Sequence, residues 1–235
     1  MADRDRPLYA VLIDADNIPA KFAGAILKEI TTFGEPALRR VYGDWSSGRL
    51  NAWTKAVRDL GMVAHQETAN TVNKNASDIG LVIDAMDILH TGRFDGFVLV
   101  SSDSDFTALA NRVREQGMDV IGVGESKAPE SLRNVCNRFI LIENIVEEST
   151  PATKGTSTGK KNPTEAVPLI IRAMDKINSD DEWYTLGQLG QYITRDNPDF
   201  DPRTYGKKKL SDLVSDLKRF ETKRAGTHLQ IRRVD

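Results

Sequence analysis

Cysteine is almost absent from this 235-residue chain: the single Cys136 excludes an internal disulfide and any Cys-rich zinc site. It sits in the apolar-flanked stretch 132–139, where a small buried residue is expected rather than a reactive thiol. Histidine is scarce too, and His65, His90 and His228 show no ligand spacing. No apolar run approaches the ~18 residues that a membrane span needs. The run 8–13 near the N-terminus stops at Asp14, too short for the core of a signal peptide, so it reads as a first strand and a cytosolic protein with no membrane partner is expected. An excess of charge of either sign is also lacking, since the formal net charge is −2. With 40% hydrophobic and 28% charged residues the chain is ordinary globular material, long enough for one typical domain and a small one.

The small net charge conceals an asymmetry. Residues 1–150 carry 16 Lys/Arg against 22 Asp/Glu, whereas the remainder is net basic. An acidic first part does not suit a nucleic-acid binder relying on electrostatics alone, but it suits carboxylates that hold cations. That first part alternates short β-branched runs (8–13, 37–45, 62–66, 96–102, 119–124, 138–144) with helical patterns (19–33, 47–60, 77–90, 104–117, 129–136), which predicts a mostly parallel sheet flanked by helices. The runs 96–102 and 119–124 are almost wholly apolar, as strands covered on both faces must be. Residues 149–163 are rich in Ser, Thr, Gly, Lys and Pro and read as a flexible linker between domains at 1–148 and 164–235. The second domain is expected to hold three helices (164–178, 185–195, 203–220) and a hairpin turning at Ala225–Gly226, a winged-helix outline.

In a parallel α/β sheet, function gathers beyond the carboxyl ends of the strands. Asp14 and Asp16 close the first strand in LIDADNI, Asp103 and Asp105 follow the fourth in VLVSSDSDF, and Asp78 opens a helix. A lone Asp in such a place is usually a helix cap, and Asn17, Ser77, Ser104 and Asp105 all stand near helix starts. Five aspartates arriving at three such ends are harder to assign to capping. Mg²⁺ and Mn²⁺ take oxygen ligands and keep several waters, so a few converging carboxylates would suffice for either. Asp84 and Asp87 lie further along the helix and are expected behind the site or at the surface.

These motifs, LIDADNI through VYGDW, NKNASDIGLVIDAMDIL, VLVSSDSDF and ILIENI, resemble the NYN family of the LabA/DUF88 type, within the PIN-like nucleases; the resemblance spans residues 8 to about 145. Residues 164–235 are similar to the OST-HTH/LOTUS winged helix. The resemblance implies a PIN-like fold and metal-dependent RNA cleavage. It assigns Asp14, Asp78, Asp103 and Asp105 as catalytic and metal-binding, with Asp16 in support. Asn17 would orient a ligand or water, Ser101 or Ser102 would bond a phosphate or ligand carboxylate, and Lys74 and Asn75, in the loop before Asp78, fit either donors to the scissile phosphate or a solvated loop. RNA contacts are sought at Arg39, Arg40, Tyr42, Trp45 and Arg49, although Tyr42 and Trp45 fit ordinary packing equally well. In the second domain Arg203, Lys207, Lys208 and Lys209 crowd the start of the third helix, and Lys218, Arg219, Lys223, Arg224, Arg232 and Arg233 line the wing; Trp183 and Leu186 are assigned to the small core. Protein docking is the competing use of a LOTUS-like module, and either a monomer or a homodimer is compatible with the sequence. Two rival functions remain: an RNA-binding adaptor without turnover, and a haloacid-dehalogenase-type phosphatase suggested by D-A-D-N. The close spacing of Asp103 and Asp105 and the LOTUS-like partner disfavour the phosphatase.

Overall fold

The computed structural model describes residues 5–66, 76–149, 160–177 and 182–234. The chain divides into two compact units, 1–151 and 152–235.

The first unit is built on six strands: β1 (Leu8–Asp14), β2 (Glu35–Gly43), β3 (Val63–Gln66), β4 (Gly96–Val100), β5 (Asp119–Gly124) and β6 (Arg138–Leu141). They form one parallel sheet in the order β3-β2-β1-β4-β5-β6. Alternate side chains of β1 feed two separate cores. Val11 and Ile13 join one face with Ile26, Trp53, Val98 and Ile121, while Ala10 and Leu12 join the other with Tyr42, Leu81, Phe97 and Val120. The helices are divided accordingly. Residues of α1 (Ala23–Ile30), α2 (Asn51–Asp59) and α6 (Ile142–Ser149) cover the first face, and residues of α3 (Ala76–His90), α4 (Thr107–Glu115) and α5 (Glu130–Val135) cover the second. Cys136 is buried beside Leu132, whose carbonyl accepts its thiol, and burial pushes the thiol up to about 12.

Some boundaries differ from the sequence reading, each for a local reason. The second strand starts at Glu35, pairing with Leu8 through a register shift, and stops at Gly43 because the Asp44 side chain accepts from Ser46 N and turns the chain. The run 138–144 is a strand only to Leu141; from Ile142 the apolar spacing becomes helical, and Ile142 and Ile145 bury against the first core as α6. The chain stays close at the end of β5 because Gly124 has no side chain: a Cβ there would lie 2.7 Å from the Ser101 carbonyl oxygen.

The second unit holds α7 (Val167–Ile177), β7 (Tyr184–Thr185), α8 (Leu186–Asp196), α9 (Leu210–Ser215), β8 (Phe220–Ala225) and β9 (His228–Arg233). The strands form an antiparallel sheet in the order β7-β9-β8. The long third helix expected over 203–220 is broken. A turn of 3₁₀ helix over Pro202–Tyr205 ends at Gly206, whose φ of 73° stops it, and α9 restarts only at Leu210. The short strand β7 was not visible in the pattern because two residues carry no periodicity. Thr185 ends it and caps α8 by accepting from Gln188 N.

Among the described residues no helix is long and apolar enough to cross a membrane.

Candidate functional site

The strand order reverses at the centre of the sheet. From β1 the chain proceeds outward through β2 and β3, then returns to β4 on the other side of β1 and proceeds through β5 and β6. The loops after β1 and β4 therefore part in opposite directions and leave a crevice beyond their carboxyl ends, the place where ligands bind in open α/β sheets. Asp14 ends β1, and Ser101–Asp105 follow β4, so both D-x-D segments flank this crevice.

Asp14 is only 3% exposed, yet its carboxylate is well held. Oδ1 accepts from the backbone N of Asp16 and of Asn17, each at 3.2 Å, and Oδ2 accepts from Ser101 Oγ at 2.9 Å. Ser101 Oγ in turn accepts from Asp103 N at 3.1 Å. Asn17 Oδ1 accepts from Ser102 N at 2.9 Å, and Ser102 Oγ accepts from Glu125 N at 2.8 Å. The ends of β1, β4 and β5 are thus tied by a chain of hydrogen bonds that runs through the residues expected at the site. Ser77, in the first turn of α3, donates to Asp16 Oδ2 at 3.1 Å and brings that helix to the same place.

Electrostatics tie the five aspartates together. Burial pushes the Asp14 carboxyl up to about 6, the Ser101 hydrogen bond works against this, and the charges of Asp78 and Asp16 add to it. Asp78 is also raised, first by burial and then by Asp103, Asp105 and Asp16. Like charges held this close disfavour each other's ionisation unless a cation is present. Among the described residues no three His, Cys, Asp or Glu side chains make a ready metal cage. The donor chemistry still fits a hydrated hard cation. Every side chain is an oxygen donor, and Mg²⁺ typically keeps several waters and takes only one or two carboxylates directly. Asp14 Oδ1 already has both lone-pair directions used, so Asp14 can give at most one further bond, from Oδ2.

The other expected contacts are placed as follows. Lys74 and Asn75 lie outside the described residues. Arg39 donates to the Leu60 carbonyl at 3.2 Å, and Trp45 gives its indole N–H to the His65 carbonyl at 2.8 Å. Arg40 pairs with Asp84, and the fully buried Tyr42 donates its hydroxyl to the same carboxylate. The packing alternative therefore holds for Tyr42, whose ring also lies 5.1 Å from that of His65. Arg49 is 3.9 Å from Asp44. Arg203 is clasped by Asp201, Lys207 pairs with Asp216, and Arg232 bonds Glu221 and Glu182; Lys208 and Lys209 are exposed. Trp183 does not join the small core, whereas Leu186 packs against it.

Ser77 and Glu125 were not singled out as site supports, and Asp84, expected behind the site or at the surface, is the shared partner of Arg40 and Tyr42. A polar residue inside the apolar stretch LVIDAMDIL was the available signal for Asp84, and its partners Arg40 and Tyr42 are fixed only by the packing of α3 on β2. Asp84→Ala should strand a guanidinium and a buried hydroxyl together, lowering stability by about 2–3 kcal/mol in urea titrations.

The chain matches a family model, NYN domain, over residues 9–143, and a second, OST-HTH/LOTUS domain, over 160–231. NYN domains are nuclease-like, and OST-HTH/LOTUS domains bind RNA. Among solved structures, the chain is similar to a protein of unknown function from Vibrio parahaemolyticus RIMD 2210633, with 19% identity, 62% of this chain and 98% of that chain covered, and a TM-score of 0.53. That likeness is one of fold. An uncharacterized protein from Nitrosomonas europaea is 33% identical over 36% of this chain and 85% of its own, with a TM-score of 0.29. No curated protein matches the chain. Over its first 150 residues the strand order, the crevice at the reversal and the aspartates beside it lie within the matched segment, and the chain belongs to the NYN family, followed by an OST-HTH/LOTUS domain.

Proposed function

We propose that this chain is a divalent-metal-dependent ribonuclease that hydrolyses RNA phosphodiester bonds, its C-terminal domain serving as the RNA-binding module. The observation that carries the reading is the set of mutually repelling carboxylates at the crevice, with Asp14 buried and pushed up to about 6. Carboxylates gathered this way disfavour one another's ionisation, and a bound cation would relieve that.

Asp14, Asp16, Asp78, Asp103 and Asp105 would hold Mg²⁺ or Mn²⁺. When bound, the metal supplies a water acidic enough to be a nucleophile at neutral pH and charge to stabilise the leaving oxygen. The residues of the chain do the positioning. Three hydrogen bonds fix Asp14 so that one lone pair of Oδ2 remains. Ser101 orients Asp14 and Asp103 N at once, which couples the two D-x-D segments. Asn17 spends its carbonyl oxygen on Ser102 N, which leaves its amide N–H₂ to donate to a phosphate oxygen. Asp78 projects from the first turn of α3, where it adds charge to the cluster from a separate element.

The test is cleavage of a panel of RNAs with Mn²⁺, Mg²⁺ or EDTA. Turnover is expected only with metal, and Asp103→Asn should lower its rate by at least about 100-fold. Full activity in EDTA, or an unaltered rate in Asp103→Asn, would overturn the proposal. One rival reading is an RNA-binding adaptor without turnover, which the OST-HTH/LOTUS match also supports. That reading requires RNA binding indifferent to chelator.

A further inference from the structure

The sequence offered two places for the RNA contacts of the second unit, the start of its third helix and the wing. At the first of these Arg203 is clasped by Asp201 and Lys207 by Asp216. The wing belongs to the three-stranded sheet. Ile231 is fully buried, and its cross-strand partners Tyr184 and Thr222 share its inward face. Strand alternation then puts Glu221, Lys223, Gln230 and Arg232 on the outward face, and Trp183, one residue before Tyr184, beside them. The Lys223 ammonium lies 3.9 Å from the centre of the Trp183 ring and the Arg232 guanidinium 5.0 Å from it. Trp183 is half-buried and stands outside the small core, so its ring is not explained by packing of that core.

The geometry points to this outward face, centred on Trp183, as the surface on which the C-terminal unit holds single-stranded RNA. The inference rests on reading that unit as an RNA-binding module and names where it binds and which strand form it selects. An unstacked base has a free π-face that can lie on indole, whereas a duplex hides its bases in the stack. Lys223 is the exchangeable partner. Its side chain is exposed and lies over the ring, and an exposed cation–π contact is weaker than base–aromatic stacking. A base that takes its place on the ring frees the ammonium for the adjoining phosphate. Arg232 stays where it is, because Glu221 and Glu182 hold it, and it braces the indole from its own strand. The exposed Lys218 and Arg219, just before β8, add positive charge at the end of the hairpin near Arg232, whereas Arg224 falls on the opposite face by the same alternation. The carboxylates of Glu221 and Glu182 keep Arg232 from adding to the net charge, so the phosphate contact falls to Lys223.

The test uses the full chain carrying Asp103→Asn, so that binding is read without cleavage. Fluorescence anisotropy of a labelled single-stranded RNA oligonucleotide should show roughly tenfold weaker binding for Trp183→Ala, with most of the loss restored in Trp183→Phe. Lys223→Ala should lower the salt dependence of binding by about 0.7 in the slope of log K against log salt. The same oligonucleotide as a duplex should bind more weakly and be indifferent to Trp183→Ala. Indole emission should fall on RNA addition in the parent protein and not in Trp183→Phe, which serves even if the alanine variant fails to fold. Equal affinity of parent, Trp183→Ala and Lys223→Ala overturns the inference, as does no binding of any oligonucleotide. So does a Trp183-dependent capture of a protein with RNA affinity unchanged. Trp183-dependent binding without metal-dependent cleavage by the unmodified chain would keep this inference and remove the nuclease; cleavage with Trp183-independent binding would do the reverse.

Discussion

Asp14→Asn should abolish cleavage and at the same time make the metal-free protein more stable. The activity loss is expected to be at least about 100-fold, because the substitution removes a charge from the crevice where charge must be held. The stability gain follows from linkage. In the unfolded chain an aspartate titrates near 3.9, and in the folded chain burial holds Asp14 at about 6. The folded state therefore binds more protons between these values. The Asp14 contribution to stability is fully present below about 3.9 and is lost as the pH rises through about 6. Above that it opposes folding by up to about 3 kcal/mol. Asn keeps the shape and carries no charge, but it weakens the bonds from Asp16 N and Asn17 N. A net gain of about 1–2 kcal/mol at pH 8 in EDTA is expected, shrinking to nothing near pH 4. Denaturant titrations of both proteins at the two pH values check it. Equal stability of the two at pH 8 would mean that the buried charge is already compensated.

The second large effect is that of the cation on stability. A ligand bound only by the folded state stabilises by about 2.7 kcal/mol at a concentration 100 times its Kd. Saturating Mn²⁺ or Mg²⁺ should therefore raise the melting temperature of the protein at pH 7.5 by several degrees, and EDTA should reverse the rise. In Asp14→Asn and Asp78→Asn the shift should be mostly lost, whereas Asp84→Asn should keep it, because Asp84 is taken up by Arg40 and Tyr42. An equal metal shift in all four proteins would place the cation elsewhere.

The parallel sheet was readable because its strands are buried on both faces and interrupted by helix-length segments, and the crevice follows from that topology alone. The apolar stretch over 96–100 left no alternative to a central strand. The aspartates were legible for the same reason: a charged residue directly after such a run must either leave the core or serve something beside it. What stayed hidden depended on partners distant in sequence. Asp84 reads as a residue behind the site or at the surface until α3 is laid against β2, some 44 residues back, where Arg40 and Tyr42 meet it. Trp183 reads as core because aromatic residues in small domains usually are. Only the pairing of Tyr184 with Ile231 reveals that the residue before it faces outward. The third helix of the C-terminal unit was drawn too long because Gly206 was not weighed as a stop.

The reversal of strand order has a consequence for how the crevice withstands motion. β1 and β4 are interior strands, so their amides are shielded on both sides and should exchange with deuterium only on global unfolding. Asp14 and the segment from Ser101 to Asp105 ride on that slowest-exchanging frame. Asp78 does not; α3 follows β3, a four-residue strand at the sheet edge with Val63 56% exposed, whose amides should exchange through local opening. One carboxylate of the five thus comes from an element packed beside the slowest-exchanging frame and not from the frame itself.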